Sequence, residues 1–239
     1  MVKISDLGIE LYADGADYKG IIELNQKSFI KGITTNPSLM KKAGIADYEG
    51  FAKEVLKVVT AKPISFEVFS DDLQEMKRQA RKIQSWQKNV FVKIPVCNTK
   101  GESTAGIVQE LSHEGIQLNV TALFTLEQIK DMIAALSPDT SSILSVFAGR
   151  TSETGVDPMP IIKTAKSLIA TKPKIKLLWA CVREVYNIIQ AQESGCDIIT
   201  VPHDILAKAE LTLGKSLEDM TLEAVRAFDK DARSVGFKL

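Results

Sequence analysis

The stretch KLLWACVREVYNIIQAQESGCDIITV, residues 176–201, contains the pattern that decides the fold. A short apolar run predicts a strand at Lys176–Ala180, and a segment of helical period predicts a helix at Arg183–Glu193, ended by a Ser-Gly pair. A second apolar run predicts a strand at Asp197–Val201. Strand, helix and strand in this order form the repeating unit of a parallel α/β sheet.

The same alternation runs along the whole chain and predicts an α/β fold of the (β/α)8 TIM-barrel class. Eight apolar runs indicate strands at Ile9–Asp14, Ile30–Thr34, Ile64–Val68, Val90–Ile94, Gln117–Thr121, Ile143–Phe147, Lys176–Ala180 and Asp197–Val201. Amphipathic segments predict helices at Tyr48–Val59, Asp71–Ser85, Leu126–Ala135, Pro158–Ile169 and Arg183–Glu193. An open doubly wound sheet has the same order, but neither GxGxxG nor GxxxxGK[ST] occurs, which favours the barrel.

The length of 239 residues suits one such barrel. No linker, repeat or low-complexity tract divides the chain, so we expect a single domain over residues 1–239. The last amphipathic stretch, Ser216–Phe237, predicts an additional helix after the barrel closes. This helix either caps the barrel or packs on a neighbouring subunit.

The composition narrows the partners. Lys plus Arg and Asp plus Glu both total 30, so no positive excess favours nucleic acid or an anionic membrane, and a small-molecule partner is expected. No apolar run could span a bilayer, and the N-terminus carries acidic residues where a signal peptide needs an apolar stretch. The three cysteines lack CxxC spacing and fit the reducing cytoplasm. We expect no metal and no cofactor.

Polar residues gather where the predicted strands end. In a closed barrel the catalytic face is built from the C-terminal strand ends and the loops that follow them, so these residues form one candidate site. The polar strand-end residues are Asp14, Thr34, Thr35, Asn36, Glu67, Lys93, Asn119, Thr121, Ser145, Cys181 and Arg183.

Lys93 is the most informative of them, because it lies in the otherwise apolar strand VFVKIP. Burial disfavours its charged form, and a neutral amine could attack a carbonyl. The resulting Schiff base withdraws electrons from the adjacent carbon-carbon bond, so that cleavage gives an enamine. The strand alone is equally compatible with a structural lysine paired with Glu67 or Asp14.

Two carboxylates and a hydroxyl complete the catalytic candidates. Asp14 could exchange a proton with the substrate hydroxyl at which the bond breaks, while Asp17 is better placed to cap the following helix. Glu67 and Thr121 could hold a water that carries protons to and from Lys93. Glu67 could equally serve only to neutralise Lys93.

Arg150 and Arg183 follow the sixth and seventh strands, where a forked cation can bind a phosphate through two hydrogen bonds. Exposed arginines at helix starts are the alternative for either one. His113 and His203 lack the partner spacing of a metal site. His203, at the end of the last strand, could touch substrate, but we expect it to cap a helix or lie in solvent.

The strand-end motifs resemble those of the transaldolase family, which includes the small transaldolases and the fructose-6-phosphate aldolases. The resemblance covers nearly the whole chain, and GITTNPS together with VKIP is its most specific part. The motifs that carry it are IELYADGAD, KGITTNPSLM, VFVKIP, LNVTALFTLEQ, SVFAGRTSETGVDP and SGCDIITVPHDIL.

The resemblance implies a role for each candidate. Lys93 would form the Schiff base, Asp14 would be the acid and base, and Glu67 with Thr121 would hold the water. The implied substrate-binding residues are Thr34, Asn36, Asn119, Ser145, Phe147, Arg150, Cys181 and Arg183. Of these, Thr34, Asn36, Asn119 and Ser145 would bind substrate hydroxyls or position the lysine, and Arg150 and Arg183 would bind the phosphate. Small members of the family form rings of many subunits or dimers, so a homo-oligomer is implied.

Two positions favour transfer over simple cleavage. Transaldolases have Glu and Phe at the positions of Glu67 and Phe147, whereas fructose-6-phosphate aldolases have Gln and Tyr. The resemblance therefore implies a transaldolase that moves a dihydroxyacetone unit from a ketose phosphate, such as fructose 6-phosphate or sedoheptulose 7-phosphate, to an aldose phosphate. The alternatives are an aldolase that releases free dihydroxyacetone and a non-catalytic protein that binds sugar phosphates.

One segment departs from the family pattern. The seventh strand ends in Ala-Cys-Val-Arg, where Cys181 and Val182 replace the usual serine and aromatic residue. A thiol is a weak hydrogen-bond donor, so the phosphate contact is expected to differ, and an unusual sugar is one consequence.

Overall fold

A computed structural model, which describes residues 3–238, contains a closed barrel of eight parallel strands. Each strand pairs with the next in sequence, and the eighth pairs with the first. The predicted (β/α)8 barrel is therefore confirmed. The strands are β1 (Glu10–Asp14), β2 (Ile30–Thr34), β3 (Ile64–Glu67), β4 (Val90–Pro95), β5 (Leu118–Leu123), β6 (Ser142–Val146), β7 (Ile175–Trp179) and β8 (Ile198–Pro202).

Helices surround the strands. Over the described part of the chain they are α1 (Tyr18–Gln26), α2 (Pro37–Lys42), α3 (Tyr48–Leu56), α4 (Leu73–Gln84), α5 (Ala105–His113), α6 (Leu126–Ala135), α7 (Ala148–Glu153), α8 (Met159–Leu168), α9 (Tyr186–Glu193), α10 (His203–Thr212) and α11 (Leu217–Val235). Short 3₁₀ turns occupy Ile4–Asp6 and Ile169–Thr171.

Every predicted strand is present, with ends shifted by at most a residue or two. The sequence did not predict α2, α5, α7 and α10, and it indicated α1 only through the expected cap at Asp17. These helices are short, and several carry glycine or polar residues that weaken the helical period; α7, for example, is AGRTSE. Their ends are set by packing against the barrel, which a periodic pattern of six to ten residues does not reveal.

Two apolar layers follow from the alternation of side chains along each strand. On β4, Val90, Val92 and Ile94 face the surrounding helices, whereas Phe91 belongs to the cluster inside the barrel. Since alternate residues share a face, Lys93 continues the inward row that Phe91 begins. The strand therefore delivers the amine to the barrel interior at its C-terminal end.

The ends of two helices bear on the predictions. Asp17 caps α1, because its Oδ2 accepts a hydrogen bond from the Gly20 backbone N at 2.7 Å, as predicted. The predicted terminal helix is α11, and none of its residues is buried. It therefore does not cap the barrel within the described chain. No helix in residues 3–238 has both the length and the apolar character needed to cross a membrane.

Candidate active site

A cavity of about 490 Å³ opens at the C-terminal ends of the strands. Its predicted lining residues are Asp14, Asn36, Glu67, Lys93, Thr121, Phe147, Arg150, Cys181 and Arg183. A narrower part extends into the barrel, where Thr34, Ser145 and Thr200 line it. The fold thus brings together around one space all the predicted site residues except Asn119.

Lys93 lies at the floor of this cavity and is 8% exposed. Its Nζ is 3.4 Å from Glu67 Oε2 and 3.3 Å from the Thr35 carbonyl oxygen, and the register of β3 and β4 pairs Glu67 with Lys93. The ion pair that the sequence allowed is therefore present. Both contacts are longer than the 2.7–2.9 Å typical of a charge-assisted hydrogen bond, so neither holds the amine tightly.

Asp14 faces the same floor from β1. Its Oδ1 accepts a hydrogen bond from Thr34 Oγ1 at 2.7 Å, and Thr34 Oγ1 is in turn bonded to the hydroxyl of Thr200. Burial raises the pKa of Asp14, while Lys93, Thr34 and His203 act in the opposite direction. A carboxyl group that keeps its proton more readily than an exposed aspartate is suited to exchange it with a substrate.

Thr121 has a buried hydroxyl whose Oγ1 finds no hydrogen-bond partner among the described residues. It lines the cavity beside Glu67 and Lys93. A buried hydroxyl without a partner is costly, and a cavity with several polar groups is where an ordered water satisfies one. The β5 register shifts just after Val120, and Ala122 has φ 61°, so the strand bends where Thr121 enters the site.

Asn119 supports the site from behind. Its Nδ2 donates to Ser65 Oγ at 3.0 Å, and its Oδ1 accepts from Ser145 Oγ at 2.6 Å. Asn119 is fully buried and does not line the cavity, so it fixes Ser145. Asn36 does line the cavity, and its Oδ1 also caps α2 by accepting from the Leu39 backbone N at 2.9 Å.

The two arginines lie at the rim of the cavity. The Arg150 guanidinium lies over the Phe147 ring, with its Cζ 5.4 Å from the ring centroid. Arg183 Nε donates to Glu153 Oε1 at 2.6 Å, and its side chain is 48% exposed. Each arginine is thus oriented by a neighbour that leaves part of the guanidinium open to the cavity.

Cys181 lies between the floor and the rim at the end of β7. Its φ of 64° is in the left-handed region, which a residue with a side chain rarely adopts. Burial raises the pKa of its thiol, with Arg150 and Arg183 opposing the shift. The backbone here is crowded, since a Cβ at Gly149 would lie 1.6 Å from the Cys181 carbonyl oxygen. Glycine is therefore required at position 149.

The expectation for His203 was wrong. It begins α10 without a side-chain capping bond, is half-buried, and its Nε2 has no partner within residues 3–238. The ring lies against the β1–α1 turn, because a Cβ at Gly15 or Gly20 would come within 2.5 Å of a ring nitrogen. Desolvation lowers its pKa, although Asp17 and Asp14 oppose the shift. The contact with the two glycines leaves the ring half-buried.

Three residues around the site were not predicted. Thr200 occupies the inward position two residues after Ile198, so the alternation of β8 could have found it. Glu153 and Tyr48 come from helices distant in sequence from their partners, and no local pattern identifies them. Thr35, a polar residue expected at the end of β2, acts through its backbone carbonyl.

A closed parallel barrel with one buried lysine beside a glutamate and an aspartate defines a class of protein, namely barrel enzymes equipped for Schiff-base chemistry. The comparisons with known proteins agree with this class. The sequence profile of the family described as "Transaldolase/Fructose-6-phosphate aldolase" matches residues 11–239. The chain belongs to the transaldolase/fructose-6-phosphate aldolase family.

Curated relatives support the same membership. A protein named "Probable transaldolase" from Thermoanaerobacter sp. (strain X514) is 32% identical over 232 residues, which cover 97% of this chain and 100% of the relative. A "Probable transaldolase" from Methanococcus maripaludis (strain C5 / ATCC BAA-1333) is 35% identical, covering 84% and 89%. Another, from Streptococcus equi subsp. zooepidemicus (strain MGCS10565), is 32% identical with the same coverage.

Proposed function

We propose that this protein is a transaldolase that transfers a dihydroxyacetone unit from a ketose phosphate, such as fructose 6-phosphate or sedoheptulose 7-phosphate, to an aldose phosphate. The observation that carries the proposal is the Lys93 amine, loosely held 3.4 Å from Glu67 at the floor of a cavity that Asp14 also lines. The names of the curated relatives point to the same reaction.

Lys93 acts as the nucleophile. Its neutral amine adds to the ketose carbonyl at C2, and loss of water gives a protonated imine. Asp14 then removes the proton from the C4 hydroxyl, the C3–C4 bond breaks, and its electron pair moves towards the imine nitrogen. An aldehyde leaves, and a three-carbon enamine stays bound to Lys93.

The acceptor completes the cycle. The enamine carbon adds to the aldehyde of the aldose phosphate, and Asp14 returns its proton to the new hydroxyl. Water then hydrolyses the imine and frees Lys93. Glu67 and the unpartnered Thr121 hydroxyl hold the water that carries protons during imine formation and hydrolysis, since both line the cavity beside the amine.

The rim selects phosphorylated sugars. Arg150 and Arg183 line the same cavity as Lys93, and guanidinium groups bind phosphate with paired, charge-assisted hydrogen bonds. Thr34, Ser145 and the amide nitrogen of Asn36 are placed to bind the sugar hydroxyls. Cys181, whose thiol is a poor donor, weakens the contribution of the seventh strand to phosphate binding.

Trapping with borohydride tests the covalent step. Wild-type protein treated with fructose 6-phosphate and borohydride should gain one three-carbon or hexose adduct on Lys93, located by peptide mass spectrometry. An unmodified Lys93, or an adduct that forms equally well in Lys93→Met, would refute the assignment.

Product analysis separates transfer from the two alternative functions. Release of dihydroxyacetone as fast as the donor is consumed would favour an aldolase. Thermal stabilisation by sugar phosphates without turnover would favour a binding protein.

We propose further that the chain is a single barrel domain whose terminal helix packs on a second copy, giving a homo-oligomer. On α11, Leu217, Leu222, Val225 and Phe228 are between 49% and 81% exposed, an apolar surface that an isolated monomer would leave in water. Another copy of the same chain is always available to cover this surface. Sedimentation of the full chain should give an assembly, and Phe228→Asp should shift it towards monomer; a monomeric wild type would refute this.

A cytoplasmic location is also proposed. The three cysteines are free thiols, as expected for a reducing compartment, and sugar phosphates are metabolites of the cell interior. Fractionation of cells that express the full-length protein would place it in the soluble fraction, and recovery from the membrane or the medium would contradict the proposal.

A further inference from the structure

The hydroxyl group of Tyr48 makes two hydrogen bonds to one residue. It donates to the Glu67 carbonyl oxygen at 2.9 Å and accepts from the Glu67 backbone N at 2.8 Å. Tyr48 begins α3, nineteen residues before Glu67, and is not part of the cavity that Glu67 lines. The hydroxyl therefore acts on the main chain of Glu67 from outside the substrate space.

The strand pairing explains why Glu67 needs this partner. The register of β2 and β3 pairs Ile33 with Ile64 and Thr34 with Ser65, and the last ladder bond runs from Thr35 N to Ser65 O at 3.2 Å. The chain then leaves the sheet, since α2 begins at Pro37.

Glu67 lies two residues beyond Ser65 on β3, so its backbone N–H and C=O point to the same edge of the strand as those of Ser65. The other edge stays paired, because Val68 N donates to Lys93 O at 3.0 Å. At the β2 edge, however, no strand remains to pair with Glu67. The Tyr48 hydroxyl replaces the missing strand, with one donor and one acceptor in one atom.

The Tyr48 ring is held firmly enough to serve this purpose. It contacts Phe69 at 5.4 Å between ring centroids, Trp86 at 6.3 Å and Phe66 at 6.4 Å. Burial raises the pKa of Tyr48, so its hydroxyl keeps the proton that it donates. The packed ring therefore holds the hydroxyl in place, and the hydroxyl can keep both hydrogen bonds to Glu67.

We propose that Tyr48 is a positioning residue, which fixes the main chain of Glu67 and thereby aims its carboxylate at Lys93 and at the water beside Thr121. This inference rests on the proposed function, since it assigns a role in the same reaction. It concerns proton transfer during imine formation and hydrolysis. Substrate binding is expected to be untouched, because Tyr48 does not line the cavity.

The test is a double-mutant cycle on the full-length enzyme. Tyr48→Phe should lower kcat about 10- to 100-fold, as a displacement of roughly 1 Å at a catalytic group does, with KM changed little. In a Glu67→Ala background the same substitution should cost nothing further, because the side chain it positions is gone. Tyr186→Phe, at a side chain 56% exposed on α9, is the matched control and should retain full activity.

Three outcomes decide. If Tyr48→Phe lowers kcat by the same factor with and without the Glu67 carboxylate, Tyr48 has only a structural role and the inference is wrong. If Tyr48→Phe leaves kcat unchanged while borohydride still traps Lys93, the positioning role of Tyr48 is wrong and the proposed function stands. Failure to trap Lys93 in the wild type would instead refute the proposed function.

If Tyr48→Phe does not fold, hydrogen exchange on the wild type replaces it. The Glu67 amide should then be protected as strongly as that of Val68, which pairs with Lys93 O. Fast exchange at Glu67 beside a protected Val68 would overturn the proposal.

Discussion

At the floor of the cavity, Lys93 and Asp14 project from strands and contact other protein groups, whereas at the rim Arg150 lies in the short helix α7, Arg183 lies on the loop after β7, and both are exposed. Lys93 is 8% exposed, and the Arg183 side chain is 48% exposed. The partners differ in the same way. Glu67, which faces Lys93, is itself largely buried, and Glu153, which faces Arg183, is 54% exposed.

This difference separates the work of the two regions. Charges in a poorly solvated space interact strongly and cost much to leave unpaired, so small changes at the floor alter the chemical step. Exposed charges are screened by water and salt, so changes at the rim alter binding by modest factors. We therefore expect floor variants to change kcat and rim variants to change KM.

The largest effect is expected from Lys93→Met, which keeps the length and apolar stem of the side chain but removes the nucleophile. Transfer activity should fall about 10⁴-fold or more, because no other group can form the imine. A coupled assay with fructose 6-phosphate and an aldose phosphate measures it. Lys130→Met, at an exposed position of α6, should match the wild type; comparable loss in both variants would show a folding defect instead.

Asp14→Asn should have the next largest effect on activity. Asparagine keeps the shape of the side chain but cannot exchange the substrate proton, and kcat should fall about 10²- to 10⁴-fold. Borohydride trapping of Lys93 should persist, because imine formation does not require Asp14. A variant with normal kcat would remove Asp14 from the mechanism.

The same variant tests the burial of Asp14 through stability. Because burial raises its pKa above the ordinary 3.8, ionisation of Asp14 costs the folded state more than the unfolded state as pH rises. Thermal melts should therefore show Asp14→Asn gaining Tm relative to the wild type between pH 4 and pH 7. A constant or shrinking difference would contradict the raised pKa.

Asp71 offers a control of opposite sign. Thr99 donates to it from its backbone N and its hydroxyl, both at 2.7 Å, and these bonds lower the pKa of Asp71. Such a group stabilises the fold above the pKa of the unfolded chain and loses that effect as pH falls. Asp71→Asn should thus lose Tm relative to the wild type as pH rises from 3 to 7.

The residues of the floor and the two rim arginines were predictable from the sequence, whereas the contacts that orient the rim residues were not. Lys93, Asp14 and Glu67 occupy inward positions near strand ends, and strand ends are set by an alternation that is visible in the residues. In a closed barrel, inward side chains at the C-terminal strand ends must face the same space. Even Thr200, which was missed, follows the same rule on β8.

The rim depends on contacts that no periodic pattern encodes. Glu153, at the end of α7, contacts Arg183 thirty residues away, and Cys181, with its positive φ, places its carbonyl oxygen against Gly149. The short helix α7, which carries Gly149 and Glu153, was also missed, since six residues give a weak helical signal. The support of Glu67 by Tyr48 is likewise a tertiary contact.

Arg183→Ala should give the larger effect at the rim. A charge-assisted hydrogen bond contributes about 1.5–3 kcal/mol, so KM for a phosphorylated ketose should rise roughly 10- to 100-fold with kcat nearly unchanged. The KM of an unphosphorylated ketose should not change. Arg233→Ala, 80% exposed on α11, is the control. A fall in kcat of the size expected for Asp14→Asn would contradict the distinction between floor and rim.

Glu153→Gln should have the smallest effect, and in the opposite direction. Glutamine still accepts a hydrogen bond from Arg183 Nε but removes a negative charge that competes with phosphate for the same guanidinium. An exposed pair is worth at most about 1 kcal/mol, so KM for the phosphorylated donor should fall by no more than about five-fold, less at high salt. Glu193→Gln at the exposed end of α9 should leave KM unaltered. If Glu153→Gln raises KM, then Glu153 orients Arg183 more than it competes for it, and the rim is as preorganised as the floor.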